Sequence, residues 1–330
     1  MVKIKKILPY LFFHPDHPNI LLFVLFLFSL LPVLLRATVF VQGDLLYWKA
    51  HENGLTYAIE SKGGPTFVND STAKNIDFDP AYGFRLLLGT TLPNSAWDLR
   101  LIGTHFHTYV YTQAKAHHDS VLFPTWINAA AVDNGTTIDS AETKWRLHCG
   151  VFDLNAGRSF HRKRLHFRPY FGLRYAVARQ KYNILYKGGD LFPNSENEIE
   201  MKNKFRGIGP LAGAGAQWNF WKGFSLYADG TLALLYSHFY VHQDEDATSG
   251  IEERLRFFNR FYIVRALADI ALGLKWDYRR FALLLGWEEH LFFGQNQFVR
   301  FVDKDTPGAY VSNQGDLSLS GFTGGVQVRF

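Results

Sequence analysis

Cysteine is almost missing from this chain: Cys149 is the only one among 330 residues, so no intrachain disulfide can staple the fold. Long hydrophobic runs are nearly as scarce. Beyond the N-terminus no apolar stretch approaches the ~20 residues that a membrane-spanning helix needs, and a mean hydropathy of −0.10 excludes a bundle of membrane helices. Charge of one sign is also in short supply. Of the formal +5, residues 1–37 hold +3 (Lys3, Lys5, Lys6 and Arg36 against Asp16), which leaves +2 for the remainder. A balance so close to neutral gives no reason to expect a nucleic-acid partner.

What the chain does have is aromatic side chains, 16% of the residues, and 28 glycines. That aromatic content is high for a soluble domain and suits a barrel with interfacial girdles. Residues 20–35 form the one long apolar block, preceded by lysines and followed by Arg36-Ala37. A basic start, an apolar core and a small residue at the exit read as a secretory signal over residues 1–37. The basic region is long, and Leu35 and Arg36 are poor neighbours for cleavage after Ala37. A retained inner-membrane anchor is the alternative, and the mature start is left open.

From residue 38 onward the pattern alternates with a period of two, which puts successive side chains on opposite faces of a strand. The clearest case is 165–180. Leu165, Phe167, Phe171, Leu173, Tyr175 and Val177 share one face; His166, Arg168, Tyr170, Arg174 and Gln180 share the other. Segments 81–92, 97–112, 224–241, 261–276 and 280–293 alternate in the same way. Segment 143–158 changes phase, with Trp145 and Leu147 on one parity and Phe152 and Leu154 on the other, so a bulge is expected near Val151. Segment 203–218 carries Pro210 among glycines, so an open ladder or a bulge is expected there. The last strand, 317–330, sets Phe322, Val326, Val328 and Phe330 on one face and ends on an aromatic residue. It resembles the C-terminal strand by which bacterial outer-membrane barrels are recognised for assembly.

Short connections (93–96, 159–164, 219–223, 277–280) alternate with long ones (61–79, 113–142, 187–202, 242–257, 294–316). Outer-membrane barrels keep short turns on the periplasmic side and long loops outside. The expected fold is all-β: a transmembrane antiparallel up-and-down barrel over residues 38–330. It has about ten strands, twelve if 113–142 hides a hairpin, and follows an N-terminal signal helix. Strand one is expected over 38–60, interrupted at 51–54. A soluble sandwich with an aromatic core is the competing fold, since sandwiches also alternate.

A cation on the lipid face near the midplane costs about 2–4 kcal/mol. Arg85, Arg100, Arg146, Arg168, Arg174, Arg265 and Lys275 are therefore expected to line the lumen, with Asp98, Asp153, Asp229, Asp269 and Glu288. Such charges either tune ion selectivity or pair across a narrow barrel and fill it. Ten strands at ~4.8 Å spacing and ~40° tilt give a backbone diameter of roughly 20 Å. A wide aqueous channel needs about sixteen strands.

Several blocks in order resemble a family, the Legionella-type and environmental-chlamydial proteins similar to the chlamydial major outer membrane protein. They are Gly43-Asp44-Leu45-Leu46-Tyr47-Trp48-Lys49-Ala50, Trp97-Asp98-Leu99 with Thr104-His105-Phe106-His107-Thr108, Arg168-Pro169-Tyr170-Phe171-Gly172-Leu173-Arg174, Gly207-Ile208-Gly209-Pro210 and Gly286-Trp287-Glu288-Glu289-His290. The resemblance implies a pore-forming outer-membrane barrel and supplies no catalytic residues. Its expected partners are outer-membrane lipids with lipopolysaccharide, the barrel-assembly machinery and, as an open question, further copies of itself.

No cofactor or metal is expected. His105 and His107 share a strand face but lack a third ligand at telling spacing. Ser237 and His238, the pair a barrel lipase would use, are adjacent on a strand and so point to opposite faces. The functions weighed are a narrow pore for small polar solutes or ions, a closed structural or adhesive barrel acting through its long loops, and an outer-membrane lipid hydrolase.

Overall fold

The computed structural model describes residues 38–62, 70–127, 137–247, 255–301, 309–312 and 315–330. The expected signal segment, 1–37, lies outside these residues. In chain order the strands are β1 (Thr38–Glu52), β2 (Ala58–Ser61), β3 (Ser71–Lys74), β4 (Pro80–Thr91), β5 (Trp97–Lys115), β6 (Val121–Pro124), β7 (Ser140–Arg158) and β8 (Phe160–Arg162). They continue as β9 (Leu165–Gly188), β10 (Phe192–Trp221), β11 (Phe224–Ala247), β12 (Leu255–Tyr278), β13 (Phe281–Phe292), β14 (Val299–Phe301), β15 (Tyr310–Ser312) and β16 (Leu317–Arg329).

Ten of these close into one antiparallel barrel, β1–β4–β5–β7–β9–β10–β11–β12–β13–β16, with β16 pairing back onto β1 from Phe40↔Arg329 to Glu52↔Leu317. Closure leaves no free edge, the condition for crossing lipid as β-structure, because an unpaired backbone group there costs several kcal/mol. The count is ten rather than twelve. Within 113–142, the short β6 pairs with β2 in a separate β3–β2–β6 sheet instead of entering the barrel. For the same reason strand one stops at Glu52.

At one end the turns are tight. Lys163, Gly223 and Arg279 sit at φ of 52°, 78° and 53°, inside two-residue links of the kind that demands a left-handed residue. Aromatics ring this end on the outside: Trp221 stacks on Phe224, Phe224 on Trp276 and Trp276 on Tyr278. A second outward ring, Tyr47 with Tyr82 and Tyr236 with Tyr262, lies toward the loop end. From Phe224 to Tyr236 along β11 is about 40 Å, or roughly 30 Å of height at a ~40° tilt, close to the hydrocarbon thickness of a bilayer.

The barrel does not stop at that second ring. A crossing takes about 9–11 residues, whereas β10 has 30 and β9, β11 and β12 have 24 each. Two expected long loops are therefore mostly strand: 187–202 is the top of β9 and β10, and β11 runs to Ala247 before β12 resumes at Leu255. These stretches escape a search for outward apolar residues because above the lipid the outer face is ionic. Glu200 there bridges Lys181 and Lys202 while Ile199 and Met201 point inward, fully buried.

The same inversion removes the bulge expected near Val151. β7 keeps one register with β5 and β9 throughout. Phe152 and Leu154 face lipid; Trp145 and Leu147, higher on the strand, face the interior. Around Pro210 the ladder to β11 lacks the pairs of Gly209 and Pro210 without any shift of register, so it is an open ladder and not a bulge.

Candidate functional site

The interior has two layers. Toward the turn end it is ionic, and the strands bring together most of the charges expected in the lumen. Arg85 donates two hydrogen bonds across the barrel to Glu288, at 2.9 and 2.6 Å, and lies 3.6 Å from Asp44. Glu288 also meets His290 Nε2 at 3.2 Å, and His290 Nδ1 lies 2.8 Å from Asp269. Arg174 then joins Asp269 (2.5 Å) to Asp153, with two contacts of 2.7 Å to the latter. Both ring nitrogens of His290 thus face carboxylate oxygens. An imidazole satisfies both only when doubly protonated, because its neutral form has a single N–H.

A second group lies nearer the turns. Asp98 accepts from Arg168 at 2.5–2.9 Å and from Arg100 at 3.1 Å, and Arg168 also donates to Asn155. Tyr170 donates to Asp229 at 2.6 Å. Lys275 lies 3.5 Å from Asp277, which accepts from Arg329 at 2.6 Å.

Two expected lumen residues stand elsewhere. Arg146 is a correction: it lies on the outside of β7, with its guanidinium 5.6 Å from the centroid of the Tyr109 ring. This part of β7 is above the lipid, where a cation on the outer face costs little. Arg265 does face inward, but above the ionic layer, over the Phe239 ring and beside Gly294. Asp44, Asp277 and His290 belong to the network and were not selected from sequence. Each has the same parity as a selected neighbour or a buried apolar residue, so the alternation itself carried the signal. Phe322, Val326 and Val328 share the outer face of β16, and the exposed Phe330 follows directly after its last residue.

Several glycines make room for this lining. A Cβ on Gly213 would lie 2.5 Å from the Tyr170 ring, and one on Gly215 2.8 Å from Asp229. These glycines are packing positions under lumen side chains.

Above the ionic layer the interior is aromatic. Trp48, Phe106, Trp145, Phe205 and Phe239 are buried from the strands, and Phe78, Trp126 and Phe298 enter from the connections. Trp126 packs edge-on to Tyr182 and Phe298, and its indole donates to Thr56 O at 2.7 Å. Two cavities lie beneath this stopper: about 430 Å³ at the turn-end mouth and about 230 Å³ at mid-barrel. Gln42, Arg100, Arg168, Tyr227, Asp229 and Leu284 line both. His105, His107 and His148 face outward, and among the described residues no cluster of three metal-ligating side chains occurs. Ser237 points inward and donates to Leu235 O, while His238 packs outward against Tyr262.

The profile of the Legionella pneumophila major outer membrane protein precursor family matches residues 36–330. The chain belongs to that family. It is an outer-membrane protein, and barrels of that membrane keep short turns on the periplasmic side and long loops outside. No curated protein matches it.

Among solved structures, it aligns with the outer membrane protease OmpT from Escherichia coli at 14% identity and a TM-score of 0.48, over 89% of this chain and 97% of that one. It also aligns with a major outer membrane protein from Thermus thermophilus (12%, TM-score 0.31, 89% and 99%). A third is the translocator domain of the autotransporter NalP from Neisseria meningitidis (10%, TM-score 0.35, 89% of each). Likenesses this distant carry no functional comparison.

Proposed function

We propose that this barrel is a narrow pore for small ions, in a closed state in the conformation described. The observation that carries the reading is a pair of cavities that share lining residues, Arg100, Arg168 and Asp229 among them, one at the turn-end mouth and one reaching Trp48 and Phe106. The lining of the mouth holds Arg100, Arg168, Lys275 and Arg329 against Asp229 and Asp277, an excess of cations that favours anions in a narrow charged passage. Opening requires the loop-borne part of the stopper, Phe78, Trp126 and Phe298, to withdraw. Ser237 and His238 point to opposite faces and so do not form the nucleophile–base pair of a lipase.

A second reading, a closed barrel that acts through its outer loops, is favoured by the aromatic stopper, whose side chains from strands and connections alike are buried. Planar-bilayer recording separates the two. The pore predicts small, infrequent steps with anions ahead of cations, and more frequent steps after Trp126→Ala with Phe298→Ala. Arg100→Gln with Lys275→Gln should reduce the anion preference. A silent bilayer with both the native protein and the stopper variant would leave the closed barrel as the answer.

A further inference from the structure

Toward the loop end, one register row of outward side chains runs unbroken across six neighbouring strands. His107 of β5 is directly opposite His148 of β7, which is opposite Arg179 of β9, then Lys204 of β10, Tyr240 of β11 and Arg260 of β12. Arg206 and His238 lie one outward position lower, and Arg146 one higher. The next outward row down is apolar: Phe152, Tyr175, Ile208, Tyr236 and Val264. Along β9, β10 and β12 the cations directly follow outward apolar residues, Val177 before Arg179, Ile208 beyond Arg206 and Lys204, and Tyr262 beyond Arg260, so they begin where the apolar, lipid-facing run of each strand ends.

Their own neighbours do not neutralise them. Among the described residues, no carboxylate lies within ion-pair distance of Arg146, Arg179, Lys204, Arg206 or Arg260. The nearest acidic groups on this wall are already engaged, Glu200 with Lys181 and Lys202, and Asp244 with Arg256. Two of the cations even share one ring: Lys204 Nζ is 5.4 Å and the Arg260 guanidinium 5.0 Å from the centroid of Tyr240. Like charges held side by side repel, and an anion placed between them relieves that repulsion with charge-assisted hydrogen bonds. The excess is one-sided. At the tops of β13, β16 and β1, the outward residues Glu289, Ser320 and Lys49 pair in register.

We infer that the wall from β7 to β12 is a binding site for a phosphate-bearing glycolipid of the outer leaflet. Its phosphates would lie among Arg179, Lys204, Arg206 and Arg260, and its acyl chains on the apolar row below. The site is on the outside of the wall and does not depend on whether the lumen conducts.

The test uses the full-length barrel in detergent, with bis-phosphorylated lipid A and the same lipid after enzymatic dephosphorylation, read by native mass spectrometry. The native protein should retain the phosphorylated lipid at least tenfold better. The triple variant Arg179→Gln, Lys204→Gln, Arg260→Gln should lose that discrimination, while Lys181→Gln, whose lysine is already paired, should keep it. If the triple variant does not fold, as judged by heat-dependent gel mobility, Lys204→Gln alone should still lower retention severalfold. Equal retention of the two lipids by the native protein would overturn the inference, as would undiminished discrimination in the variants. So would a soluble heparin oligosaccharide that binds the row as tightly as lipid A, since that would assign the row to an extracellular polyanion.

Discussion

Arg85 and Glu288 face each other across the lumen and are joined by two parallel hydrogen bonds of 2.9 and 2.6 Å. β4 and β13 are not neighbours, so this pair fastens two strands that share no ladder. Its side chains are nearly inaccessible, 15% and 5% exposed. Removing one partner of a buried pair leaves an uncompensated charge and costs about 3–5 kcal/mol, whereas replacing both by apolar groups is often neutral. Glu288→Ala should therefore lower the urea midpoint of the folded barrel strongly, and Arg85→Met with Glu288→Leu should recover most of the loss. A double variant as unstable as the single one would mean that the charges, and not their pairing, are required.

Phe40 and Gly89 make a tighter contact. They are directly paired between β1 and β4, and the Phe40 ring covers the glycine so closely that an added Cβ would lie 2.1 Å from its edge. Arg100 rests on the same ring, 5.5 Å from its centroid. Gly89→Ala should displace the ring at a cost of about 1–3 kcal/mol, the usual range for overpacking. It should also loosen Arg100 at the periplasmic mouth. Because the three atoms nearest to the added Cβ all belong to the Phe40 ring, Phe40→Ala in the same chain should restore the stability lost to Gly89→Ala. Unfolding midpoints of the two single variants and the double variant provide the check.

Much of this barrel was legible from alternation alone, and the departures share a cause. Outward apolar residues mark a strand only while lipid is outside. Trp145 and Phe152 lie on one unbroken strand and point to opposite faces because the lipid boundary passes between them. That single crossing produced the false bulge at Val151, the inward placement of Arg146 and the reading of 187–202 as loop. Within the lipid-facing band the cost of a cation in lipid is the physical reason for inward charges, and Arg85, Arg168 and Arg174 lie inside the barrel against carboxylates. Which carboxylate each would meet was not legible, since partners such as Glu288 and Arg85 are 203 residues apart. The stopper was not legible either, because Phe78, Trp126 and Phe298 lie in connections with no period to read.

The outer sheet of β2, β3 and β6 should open in acid. Glu60 on β2 lies 2.5 Å from Lys74 Nζ and accepts from Ser120 Oγ at 2.8 Å. The hydrogen bond from Lys74, then that from Ser120, hold its carboxyl below the usual carboxylate range. A carboxyl depressed in the folded state contributes stability above its unfolded value, about 4.3 for Glu, and that contribution is lost as the pH falls through the folded value. Amide exchange at Ile59 and Leu122, corrected for the intrinsic rate, should accelerate below that range in the native protein. In Glu60→Gln it should be raised at neutral pH and change little on acidification.

The boundary between Trp145 and Phe152 can be located by substitution. Phe152 is 57% exposed on the lipid face, where an arginine costs about 2–4 kcal/mol near the midplane and little near the interface. Arg146, six residues up the same face, already stands where a cation is at ease. Phe152→Arg should therefore destabilise the barrel in lipid vesicles by up to that amount, and Arg146→Leu should change stability by no more than about 0.5 kcal/mol. Next to Arg146 in the chain, Trp145 is completely buried on the inner face, so Trp145→Ala should cost about 3–5 kcal/mol from the cavity it leaves. Urea titration of the three variants in vesicles measures all of this. If Arg146→Leu stabilised the barrel by about 2 kcal/mol or more, the cost of a cation in lipid, position 146 would lie within the hydrocarbon, and the inversion of faces along β7 would need a different cause.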